Sequence, residues 1–127
     1  MVPGKYDITF HRGATWTISV EAKNNLGSNV DFGAYDSMRL QVGKSWIKKT
    51  GSDLLLSLTN TNGRIALADN DQTLILTLTA AETAQLNFHE GIYELELVKD
   101  ATVDPVAAQV VDRILYGSVK VANEVVR

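Results

Sequence analysis

The sequence predicts an all-β fold: an antiparallel β-sandwich, immunoglobulin-like or Greek-key in connectivity or a partly open barrel. It should hold seven or eight short strands and one short helix near residues 80–86. Three observations predict it. Residues 91–98, Gly-Ile-Tyr-Glu-Leu-Glu-Leu-Val, alternate with strict period two. Tyr93, Leu95 and Leu97 fall on one side and Glu94 and Glu96 on the other, as a half-buried strand requires. Turn signals recur at fairly even spacing, with no βαβ pattern and no internal repeat. Finally, the spacing Thr79-Ala80-Ala81-Glu82 fits a capping box, which places one helix start in an otherwise strand-like chain.

Taken in order, Met1 to Lys5 is a lead-in with Pro3 and Gly4 that is flexible or pairs with a neighbour. Tyr6 to Phe10 alternates as a first strand, and His11-Arg12-Gly13 is a turn, since glycine accepts positive φ. Thr15 to Ala22 is the clearest strand of the first half, with Trp16, Ile18, Val20 and Ala22 facing the core. Asn24 to Gly27 closes it. Val30 to Tyr35 is a connection that drops Phe32 or Tyr35 onto the core. Met38, Leu40 and Val42 point inward from the strand Ser37–Val42. Gly43 to Ser52 reads as a long hairpin loop or irregular edge, followed by strands at Leu54–Leu58 and Arg64–Leu67, with Asn60–Gly63 as the turn between them. After the polar turn Asp69–Gln72, Leu74, Leu76 and Leu78 face inward from Thr73–Thr79. The helix runs from the capping box to about Leu86, about two turns, and is the one helix expected. Gly91–Val98 and Arg113–Val121 form a long hairpin, joined by a loop from Lys99 to Ala108 that exceeds a tight two-residue turn.

Composition narrows the function classes. A chain of 127 residues fits one domain and buries roughly two thirds of its unfolded surface at that size; the domain is expected to span 1–127 with extended termini. The apolar content of 45% suits a soluble globular protein. Net charge is −3, pI is near 5.3, and basic residues are scattered except at Lys48-Lys49. That argues against a nucleic-acid surface, which needs clustered positive charge. With no cysteine, disulfides and thiolate metal sites are excluded. No charged-then-apolar leader opens the chain, and no apolar run approaches the ~20 residues of a membrane helix. The expectation is synthesis in a cytoplasm without a secretion signal of its own, and no membrane partner.

The residue inventory points away from catalysis and cofactors. His11 and His89 both sit at strand ends beside glycines but lack a third placed metal ligand. Asp69-Asn70-Asp71 is oxygen-rich, yet lacks the glycine and distal glutamate of a calcium loop, and reads as a turn. Glu94 and Glu96 lie on one strand face rather than across a cleft, so they are a solvated or intersubunit face and not a glycosidase pair. No nucleophile motif or phosphate-cradling glycine loop occurs. Candidate residues for partner contact are Trp46, Lys48, Lys49, Glu94, Glu96, Asp100, Val103, Asp104 and Pro105, the last four in the loop after the organising strand. Trp46 has two open readings: an aromatic lid on the sandwich end, or an anchor for a protein or sugar ring among Lys44, Lys48 and Lys49. Trp16 reads as core.

The order of motifs resembles a known family. A Tyr-Asp-Ile-Thr strand (Tyr6 to Thr9) precedes Gly13-Ala14-Thr15-Trp16. Then come Val30-Asp31-Phe32-Gly33-Ala34-Tyr35, the strand Met38 to Val42, and an Asn-Gly-Arg-Ile turn (Asn62 to Ile65). A Thr-Leu-Ile-Leu-Thr-Leu-Thr strand leads into Ala-Ala-Glu-Thr-Ala. The chain closes on Gly91-Ile92-Tyr93-Glu94-Leu95-Glu96-Leu97 and Gly117-Ser118-Val119-Lys120-Val121. This resembles structural proteins of tailed bacteriophages related to the N-terminal domain of baseplate upper proteins, over nearly the whole length. Two departures stand out: the insert from Asp100 to Val111 is longer than a short turn, and no receptor-binding or coiled-coil extension follows Arg127. The resemblance implies a non-enzymatic virion protein made in the bacterial host cytoplasm, docking at the tail, baseplate or fibre base. A capsid-surface cement or decoration protein is the alternative location, and a carbohydrate- or receptor-binding module a further alternative. Its implied partners are other virion proteins and further copies of itself on a symmetric particle.

Overall fold

Most of the period-two stretches of the sequence become strand. The computed structural model describes residues 3–24, 26–44, 54–103 and 106–123, with the backbone alone over 101–103 and 106–109. Among the described residues nine strands form: β1 Gly4–Lys5, β2 Ile8–His11, β3 Trp16–Val20, β4 Ser37–Gly43, β5 Leu54–Thr59, β6 Ile65–Ala68, β7 Thr73–Leu78, β8 Glu90–Val103 and β9 Val106–Ala122. A short helix, α1, spans Ala80–Ala84. The inward sets are those expected: Met38, Leu40 and Val42 on β4, Leu74, Leu76 and Leu78 on β7, and Tyr93, Leu95 and Leu97 on β8 are all buried.

Two sheets result. The larger runs β1-β9-β8-β4-β5 with β2 also on β9, and the smaller runs β3-β7-β6. Strands β3 to β9 thus occupy the B, C, C′, D, E, F and G positions of an immunoglobulin-like sandwich. No disulfide spans it, because the chain has no cysteine. Leucine does the filling instead: Leu40, Leu58, Leu74, Leu76, Leu78, Leu95 and Leu97 are essentially fully buried. The Trp16 side chain is only partly buried. It meets Phe10 edge-on at 4.8 Å, because β3 is an edge strand and covers the sandwich margin rather than its centre.

Two pairings are parallel. β1 and β2 run alongside β9 in a common register, Gly4 opposite Leu115 and Ile8 opposite Val119. The expected first strand, Tyr6 to Phe10, is therefore displaced by an interruption at Tyr6-Asp7. There the Asp7 carboxylate replaces a main-chain acceptor and takes the Ser118 amide at 3.0 Å. That bond, above all, holds the Asp7 carboxyl below its usual range. The buried Tyr93 hydroxyl donates to the Tyr6 carbonyl, and Tyr6 itself stands exposed. Close approach at this break requires Gly117, since a Cβ there would sit 2.3 Å from the Tyr6 carbonyl oxygen. The lead-in thus pairs within its own chain at Gly4–Lys5.

The capping box forms as predicted, Thr79 Oγ1 accepting from Glu82 N–H and Glu82 from Thr79 N–H. The helix stops at Ala84, short of the expected Leu86. Arg12 explains the stop, because it binds the Leu86 and Phe88 carbonyls at 2.9 and 3.0 Å and turns the chain toward β8. A second helical turn was not expected: Phe32–Ala34 form a 3-10 turn capped by the Asp31 side chain on Gly33 N–H. It buries Phe32 completely.

Gly117→Ala is expected to cost roughly 1–3 kcal/mol, the usual penalty of a forced overlap. Urea denaturation should show the loss, with the N-terminal strand exchanging its amides first.

Candidate functional site: a braced two-stranded arm and an ion-paired sheet face

The expected loop from Lys99 to Ala108 is mostly strand. β8 and β9 stay paired to Val103 opposite Val106, with Asp100 opposite Gln109 and Thr102 opposite Ala107. The segment alternates too weakly in hydropathy to read as a strand, yet it extends a ladder already in register, and each added pair closes backbone hydrogen bonds at little extra entropy. The supposed insert is therefore an arm. β4 stops at Ser37 opposite Val98, and β1 begins at Gly4 opposite Leu115. Past those points the described strands of the arm have only each other as sheet partners.

The root of the arm is braced from one short stretch before β4. Asp36 N–H donates to the Val98 carbonyl at 2.9 Å, and the Asp36 carboxylate accepts from Asp100 N–H at 2.6 Å. Tyr35 donates its hydroxyl to Asp112 at 2.8 Å. Burial, with this bond, pushes the Tyr35 phenol up to about 12. Its folded value lies above that of a free tyrosine, so its contribution to stability is complete below the free value and lost as pH rises through the folded one.

The outer face of the large sheet, expected to be solvated or intersubunit, carries ion pairs within the chain. Glu94 is 6% exposed. Cross-strand register explains it: Glu96 lies opposite Arg39 on β4 and Arg113 on β9. Arg39 Nε donates to Glu96 at 3.0 Å, Arg113 Nη2 lies 3.6 Å from Glu96, and Arg113 Nε pairs with Glu94. Two acids and two arginines on three adjacent strands so neutralise one another. A bulge between Leu95 and Glu96 makes this possible: Leu95 pairs with Leu115 and Glu96 with Arg113, leaving Ile114 as the extra residue. Ile114 turns into the core, and Arg113 is aimed at the acids. Sequence reasoning found Glu94 and Glu96 but missed both arginines. The signal lies in pairing register, which no local pattern carries.

The other predicted contact residues divide plainly. Asp100 and Val103 lie on the arm. Trp46, Lys48, Lys49, Asp104 and Pro105 lie outside the described residues, as does most of the predicted 43–52 loop. His11 and His89 flank β9 from opposite sides: His11 lies on β2 opposite Ala122, and the His89 carbonyl accepts from Val121 N–H. Asp69, Asn70 and Asp71 all adopt left-handed backbone conformations, φ 52, 56 and 65°. They form a turn whose Asp71 carbonyl receives Phe32 N–H at 2.8 Å. Among the described residues, no group of three or more His, Asp or Glu side chains is arranged to hold a metal, and no helix is long and apolar enough to cross a membrane.

No protein-family model and no curated protein matches the chain. Among solved structures, one similar chain is the extracellular domain of the voltage-gated sodium channel beta4 subunit, a parallel homodimer in its own structure. The two share 9% identity over 98% of this chain and 97% of that one, with a TM-score of 0.39. The sandwich assignment rests on this chain's own strand order.

Arg113→Ala is expected to cost about 1–2 kcal/mol, below the ~3–5 of a fully buried pair because Arg113 is half exposed. Adding Glu94→Gln should recover part of the loss, and the double-mutant cycle from urea denaturation measures the coupling.

Proposed function

We propose that this chain is a non-enzymatic structural protein of a tailed-bacteriophage virion, a β-sandwich module that docks at the tail, baseplate or fibre base and acts in multiple copies. The observation that carries the proposal is the braced arm. A two-stranded ribbon braced at its root, whose described strands have no further sheet partner, offers backbone donors and acceptors that a neighbouring subunit completes by strand addition. The order of sequence motifs supplies the virion context, and the immunoglobulin-like sandwich is compatible with it. Side chains that would draw attention as chemistry have structural partners instead. Glu94 and Glu96 hold arginines, Glu82 caps α1 and pairs with Arg64, and Asp112 anchors Tyr35.

Particles produced from the genome that encodes the chain provide the test. Mass spectrometry and immunogold labelling of purified particles should find the protein in fixed copy number at one location, with tail and capsid labelling separating the docking sites. A variant in which residues 100–109 are replaced by a short turn should fold, by circular dichroism and cooperative melting, but fail to enter particles. Absence of the intact protein from particles would overturn the proposal.

A further inference from the structure

The outer edge of β9 along the arm is an uncharged stretch, Val106-Ala107-Ala108-Gln109-Val110-Val111, with no proline and no glycine. Exposed sheet edges in stable proteins are defended by charge, proline or a bulge, and a six-residue β-prone uncharged segment without those defences pairs readily with another strand. Between Val106 and Val111 this edge carries none of them, and the β8–β9 bulge lies further along, at Leu95/Glu96. Val110 and Val111 are 47% and 41% exposed. Consecutive strand residues point to opposite faces, so each face of the ribbon carries an uncovered valine.

The charges that bound the stretch are already engaged. Asp112 holds the Tyr35 hydroxyl, and Arg113 holds Glu94 and Glu96. An identical strand laid antiparallel along this edge would therefore meet no unneutralised like charge in the segment. In the self-paired register Val106 of one copy lies opposite Val111 of the other and Ala107 opposite Val110, cross-strand pairs that carry no charge. A two-fold axis does this with a single patch, since an isologous interface needs only self-complementarity.

Resting on the reading of the arm as an assembly element, we infer that the chain forms a symmetric dimer in which β9 residues Val106–Val111 of two copies pair antiparallel, fusing their arms into a four-stranded sheet. The dimer is the unit that enters the particle. The interface is small, which suits a weak dimer reinforced by repetition on a larger assembly.

The chain lacks cysteine, so single-cysteine variants report proximity cleanly. Ala108→Cys, Gln109→Cys and Val110→Cys, oxidised one at a time, should include at least one disulfide-linked dimer on non-reducing gels. Ser57→Cys, on the β5 edge of the same sheet, should not. Sedimentation velocity should show a concentration-dependent dimer, and Val110→Lys with Val111→Lys should raise its dissociation constant at least about tenfold, because lysines defend an edge against pairing and would here stand opposite Ala107 and Val106 of the other copy. The circular dichroism spectrum should be unchanged. A monomer at every concentration, a dimer indifferent to the lysines, or cross-linking confined to Ser57→Cys would overturn the inference. Particle incorporation separates the two readings. A monomeric protein that still enters particles removes the dimer alone, whereas an arm-linked dimer absent from particles removes the virion role.

Discussion

A single extra residue organises the outer half of this protein. Ile114 interrupts an otherwise continuous β8–β9 ladder between Leu95 and Glu96. Because side chains alternate strictly, one inserted residue reverses the facing of everything beyond it. Ile114 joins the core. Arg113 turns outward, where Glu94 and Glu96 wait with Arg39 behind them. Without the bulge an isoleucine would stand opposite Glu96, and the acids would lose their shared cation. The bulge also sets the facing of the arm, since Asp112 reaches Tyr35 only from its shifted register.

The same hairpin links the chain's two ends. β9 carries β1 and β2 on one side and β8 on the other. The N-terminal strand is thus held parallel to the C-terminal one, and its break at Tyr6-Asp7 is spanned by the Tyr6 N–H on the Tyr116 carbonyl together with a buried phenol and a carboxylate. Arg12, just after that strand, then grips the turn into β8. Forces on the arm pass into β8, β9, the N-terminal strand and the residues before β4.

Much of this was legible in the sequence, and the failures share one cause. Strand positions and inward residues follow from local alternation, as Met38-Leu40-Val42 and Leu74-Leu76-Leu78 demonstrate, and the capping box at Thr79 is a local signal as well. What escaped depends on partners distant in the chain. Glu94 reads as solvent-facing until β4 and β9 supply Arg39 and Arg113. Residues 99–108 read as a loop because their pattern is weak, and only the preceding ladder makes 99–103 and 106–108 strand. The parallel seat of the N-terminal strand rests on Gly117, whose need is visible only beside the Tyr6 carbonyl. Trp16 looks central by alternation, but edge position leaves it half covered.

The function proposed for this chain is carried by a strand edge rather than by reactive side chains. Amide hydrogen exchange measured across a range of protein concentrations reads that edge directly. Self-pairing of the arm predicts that amides of β9 between Val106 and Val111 become progressively protected as concentration rises, while those of the β5 edge do not change. Exchange along this stretch that is fast and independent of concentration would contradict it.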